Sequence, residues 1–147
     1  MKRSMVSSIV ANVLLLCENN ESPTDWEWDE CLGLLQELKA KNDQAGEQVK
    51  VLVSTLGGGP NAAQRKRLEG VLGGRSTPTA VISDSLKLRF ISAAVALFNA
   101  DHRAFTTVER LEAYKHLRLS GTQTRALEAA ISQMSKLVIP ETKEIKR

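Results

Sequence analysis

Apolar residues recur along this chain in two rhythms. Val13–Cys17 and the valine-rich stretch Val49–Thr55 are short, nearly continuous apolar runs, as strands covered on both faces require. "TPTAVIS" is a third such run, with its proline at the start, where a missing N–H is tolerated. "HRAFT" reads as a short fourth. Between these runs the spacing changes to three and four. Trp28, Cys31, Leu32, Leu35 and Leu38 share one helical face. They predict a helix from about Asp25 to Lys41, opened by a capping box in which Thr24 and Glu27 satisfy each other's backbone N–H groups.

A second helix is expected over about Asn61–Leu72, with Leu68, Val71 and Leu72 inward and Gly73-Gly74 as its stop. Asp84 is placed to N-cap the next, "SLKLRFISAAVALFN". Its stripe Leu86, Phe90, Ala93, Ala94 and Leu97, widened by Ile91, Val95 and Phe98, predicts a heavily buried helix. Thr106 and Glu109 form another capping box, ahead of inward Val108, Leu111, Tyr114 and Leu117. A last helix puts Leu127, Ala130, Ile131, Met134, Leu137 and Val138 on one side. Strand and helix thus alternate four times before an extra helix. The expected fold is α/β, a four-stranded, mostly parallel sheet flanked by helices with an extra C-terminal helix. The domain is expected over 1–139 and a charged flexible tail over 140–147.

At 147 residues the chain suits one domain large enough to fold without disulfides or metal. Aromatics are only 4%, so the core falls to Leu, Val, Ile and Ala. Net charge is +3, little for a nucleic-acid binder, and no aromatics interleave the basic "QRKR" for base stacking. The charge is uneven. Nine acids and two lysines between Glu18 and Glu47 leave that segment at −7 and the rest at +10. Cys17 and Cys31 sit in apolar surroundings without a CxxC or Cys/His cluster, as buried hydrophobes of a reducing compartment do. Lys2 and Arg3 before an apolar run loosely imitate a signal peptide, but Ser7, Ser8 and Asn12 interrupt it. A cytoplasmic protein without a membrane span is expected.

Three stretches carry candidate chemistry. "VSTLGGGPNAAQRKR" runs from strand to loop to helix start. Gly57, Gly58 and Gly59 would let backbone approach an anion at a helix N-terminus, with Asn61, Gln64 and Arg65 as further donors. The stretch is neither GxGxxG nor GxxxxGK[ST], so a tight turn explains it better. Ser85, after Asp84 at a strand–helix junction, is a candidate phosphorylation site. As a nucleophile it would need a base, and no GxSxG surrounds it. Asp25, Glu27, Asp29 and Glu30 crowd one turn, but acids belong in a first turn and no paired arrangement follows, so neither a metal nor another cofactor is expected. Trp26, Arg65, Lys66, Arg67 and Arg89 are candidates for a partner surface, and the last helix for self-association.

The blocks "GGGPNAAQR", "AVISD…RF", "LFN" and "AF", over about Val13–Leu119, resemble bacterial small proteins with a STAS-like (anti-sigma-factor-antagonist-like) domain. The resemblance implies a four-stranded sheet with helices, an opening β-hairpin, and a non-enzymatic switch or interaction domain with a kinase or anti-sigma partner. It also implies a phosphorylated serine at a strand–helix junction after an aspartate, which Asp84-Ser85 matches. Here Leu86-Lys87 follows, where that family continues Ser-Gly-Leu or similar, and only "SSIVANVLLLC" is available for the hairpin.

On these readings the chain is a protein-interaction module, binding a regulatory protein or kinase and switched at Ser85. The alternative is a small domain holding a nucleotide or other phosphorylated ligand at Gly57–Gly59.

Overall fold

The structure, a computed structural model, describes residues 3–138. The tail expected over 140–147 lies outside the described residues. The chain is α/β, with one five-stranded sheet of order β1-β2-β3-β4-β5. β1 (Met5–Val10) pairs antiparallel with β2 (Val13–Glu18). From β2 on, β3 (Val51–Thr55), β4 (Thr79–Ile82) and β5 (His102–Phe105) are parallel. The four expected strands are β2 to β5, and the hairpin adds one. Its two-residue turn, Ala11-Asn12, has φ of 50° and 64°, the mirror-image geometry that suits a hairpin's twist. That turn usually announces itself with Asn-Gly, and "VANV" carries only the asparagine.

The strand order never reverses between β2 and β5. Right-handed crossovers that all step the same way put every connecting helix on one face of the sheet. Those helices are α1 (Asp25–Ala45), α2 (Ala62–Leu72) and α3 (Leu86–Ala96). Strand side chains divide accordingly. Leu14, Leu16, Val51, Val53 and Val81 pack with Trp28, Leu35, Leu72 and Leu88 from the three helices. Their alternates Leu15, Cys17, Leu52, Ala80 and Ile82 pack on the other face. There they meet α4 (Arg110–His116) and α5 (Gly121–Met134), with Tyr114, Leu117, Leu127 and Met134 as partners. β2 is buried at every position, which is why its apolar run shows no alternation.

Caps set most helix ends. Thr24–Glu27, Asn61–Gln64 and Ser120–Gln123 are complete capping boxes. Thr106–Glu109 is another, although it opens a short 3-10 turn, Thr107–Glu109, before α4. α1 outruns its expected end at Lys41 and stops at Gly46, whose left-handed φ of 69° lets its N–H reach Asn42 O. The two cysteines are buried free thiols on opposite faces of the sheet.

Two burial expectations are overturned. In α3, Leu88, Ser92 and Val95 face the sheet, while Leu86, Phe90 and Leu97 are 69%, 80% and 89% exposed. The helix has an apolar residue at nearly every angle, so spacing alone does not identify its inner side. After β5, Val108 and Leu111 are exposed, and only Tyr114 and Leu117 of that expected stripe are buried. The 3-10 turn rotates the earlier pair away from the core. In α5, by contrast, Leu127 and Met134 are buried against the sheet. Val138 is buried as well, while Leu137 of the same expected stripe is exposed.

Candidate functional site

The glycine loop leaves the carboxyl end of β3, and each glycine answers a different steric demand. Gly57 has φ 137°, and a Cβ there would lie 2.9 Å from Ser85 Oγ. A Cβ on Gly58 would come within 2.0 Å of the Glu21 carbonyl oxygen in the β2–α1 loop. On Gly59 it would press Ile91 and Leu88 of α3 at 3.2 and 3.3 Å. The loop is wedged between its neighbours, and the amides of Gly57 and Gly58 are engaged. Gly57 N–H donates to Thr55 Oγ1 at 3.0 Å and Gly58 N–H to Asn19 O at 2.9 Å. Thr55 Oγ1 in turn donates to Gly58 O at 2.7 Å. Asn61 and Gln64 satisfy each other's backbone N–H groups. The buried Gln64 side chain also donates to Pro23 O, and Arg65 donates to Pro60 O. A phosphate would have to displace these bonds. The sheet explains why: a ligand crevice forms where strand order reverses and adjacent loops diverge, and at β3 nothing reverses.

The expected partner residues do not form one patch. Trp26 is 59% exposed in the first turn of α1, with the Arg3 guanidinium 4.7 Å above its ring. Arg67 is paired with Asp29 of α1. Lys66 points to solvent. Arg89 belongs to α3, which packs against β5, whereas α1 packs against β1. Trp26 and Arg89 therefore stand over opposite edges of the sheet.

Ser85 is where the elements converge. It is the N-cap residue of α3 and its side chain makes no capping bond. Its amide is held by Ser83 Oγ at 3.2 Å, and its hydroxyl faces Gly57. Asp84, expected to cap α3, turns the other way. Its carboxylate accepts from Thr107 N at 2.9 Å and Thr107 Oγ1 at 2.6 Å. These bonds hold it below the usual carboxylate range and clasp the β4–α3 loop to the β5–α4 loop. The helices that follow part, α3 to one face of the sheet and α4 to the other. A cleft of about 330 Å³ opens between α3 and β5, with Ser83, Ser85 and Thr106 at its mouth.

Two groups have surroundings that the sequence did not show. Glu18 ends β2 against the Val53–Leu88 side of the sheet, 3% exposed, and burial pushes its carboxyl up to about 8. The only signal was an acid closing the unbroken run "VLLLCE". His102, on β5, is held down to about 4 by burial and by the nearby His116, so it is neutral at pH 7. Glu27 is buried too. Although burial pushes its carboxyl up, bonds from Thr24, Met5 and Ser4 N–H hold it below its ordinary value.

Among the described residues no cluster of three His, Cys, Asp or Glu is arranged to hold a metal ion. No helix there is long and apolar enough to cross a membrane. The chain matches no protein-family model, no curated protein and no solved structure.

Proposed function

We propose that this chain is a non-enzymatic, STAS-like interaction module that docks a regulatory protein or kinase along α3 and is switched by phosphorylation of Ser85. The observation that carries this reading is the outer stripe of α3. Leu86, Phe90 and Leu97 repeat at helical spacing with most of their surface in water. An aligned apolar row of this kind on a monomer's surface favours a protein partner. Ser85 heads the same helix. The opening β-hairpin and the parallel strand–helix order also agree with what the resemblance implies.

A phosphate on Ser85 would gain from the positive end of the α3 dipole and from Arg89, one turn on. Asp84 opposes it by like charge, and the close approach of Gly57 leaves no room for it in the present loop packing. Modification therefore reshapes the head of the docking helix. The alternative, a phosphorylated ligand at Gly57–Gly59, is disfavoured by the engaged Gly57 and Gly58 amides.

Incubation with ATP and host cell extract, followed by phosphosite mapping, is expected to find Ser85 modified. Ser85→Glu should then weaken partner capture. A map in which Ser85 stays unmodified overturns the switch and leaves the docking reading to its own test.

A further inference from the structure

The cleft beside β5 has a second compartment. Behind it, between the sheet and α1–α3, lies an apolar cavity of about 70 Å³, walled by residues such as Leu16, Val53, Ile91 and Val95. Leu88, Ser92 and His102 line both spaces and so form the partition between them. Two of the three carry an unsatisfied polar atom. Ser92 Oγ and His102 Nε2 are buried with no hydrogen-bond partner, and Ser92 is only 7% exposed. Leaving a buried hydroxyl unpaired costs about 1–3 kcal/mol, and a native fold carries few such groups. Both occur at one wall, between α3 and the amino end of the edge strand β5.

We infer that this partition binds a small uncharged amphiphile: an apolar body seated against Leu88 and the cavity behind it, with one hydroxyl or carbonyl group bonded to Ser92 Oγ and His102 Nε2. The apolar walls call for the hydrocarbon part. The two unpaired atoms call for a group that can accept from the serine hydroxyl and exchange a hydrogen bond with a neutral imidazole. The lining of the cleft carries one cation, Arg89, and one anion, Glu109, so it offers little net charge to an ion. This site is separate from the outer stripe of α3.

Phenol, benzene and benzoate separate these features. In amide-resolved NMR titrations of the full chain, phenol is expected to give saturable shifts at residues around Leu88–Val95 and His102. Benzene should bind at least about fivefold more weakly, as loss of its buried hydrogen bonds implies, and benzoate more weakly too, because its charge would be buried without a partner. Ser92→Ala keeps the fold, since it removes an unpaired hydroxyl, and should narrow the gap between phenol and benzene, leaving only the bond to His102 Nε2. Ala96→Leu, at an exposed cleft position, should block all three. Phe90→Ser with Leu97→Ser, which disables the proposed docking stripe, should leave phenol binding unchanged. Absence of saturable shifts with phenol means that only water fills the partition and overturns the proposal. So does equal binding of phenol and benzene by the unaltered chain.

Discussion

Glu18 shows how one residue sets a pH response for the whole fold. A carboxyl raised to about 8 keeps, in the folded state, a proton that the unfolded chain releases near 4.5. Its contribution to stability is complete below that lower value and is lost as pH rises through about 8. His102 acts in the opposite sense. Held at about 4 against an ordinary 6.5, it makes stability rise with pH between those values. The two slopes oppose each other up to about pH 6.5, and from there to about 8 Glu18 acts alone. Urea unfolding should show stability falling across that window, with a slope approaching about 1.4 kcal/mol per pH unit. In Glu18→Gln the fall should vanish; an unchanged slope would show that another group is responsible. The residue scale also explains the glycine triplet. Its unusual sequence suggested a ligand loop, whereas three close approaches, to Ser85, Glu21 and α3, account for Gly57, Gly58 and Gly59 in turn.

At the element scale, α3 carries the functional argument because its two faces are chemically alike and structurally opposite. Leu88 is 5% exposed and Phe90 80%, two positions apart on one helix. Leu88→Ala should cost about 2–5 kcal/mol, as buried leucine truncations do. Phe90→Ser with Leu97→Ser should change stability by no more than about 0.5 kcal/mol per site. Chemical denaturation of both variants checks this. A loss at the outer pair as large as that at Leu88 would place those residues in the core and remove the docking stripe. The same helix marks the limit of periodicity as a guide. α1 and α5 were legible because polar residues border their apolar stripes. In α3 the apolar positions encircle the axis, and the side that faces the sheet is decided by β4, β5 and the glycine loop. The serine at position 92 on the buried face gave no apolar signal at all.

At the scale of the molecule, alternation of short apolar runs with helical spacing was enough to read an α/β chain with a parallel sheet. Strand order was not legible. It depends on long-range pairing, and its sequential form decides that α1, α2 and α3 share one face. From that follows the engaged glycine loop, which lies at no crevice; the cleft lies at the sheet edge, between α3 and β5. The hairpin was half legible, since Asn12 supplies one left-handed position and Ala11 adopts the other without a glycine to announce it. Two cations from outside the acidic segment Glu18–Glu47 pair with acids inside it, Arg67 with Asp29 and Arg3 with Glu30.

The central claim is that a different protein docks on the outer face of α3. A photo-cross-linking amino acid placed at Phe90 or Leu97, with Leu56 as an exposed control elsewhere on the surface, tests it in host cells. One specific adduct to a second protein is expected from positions 90 and 97 and none from 56. Equal labelling from all three positions, no adduct at all, or a product of twice the 16.1 kDa chain mass would contradict it.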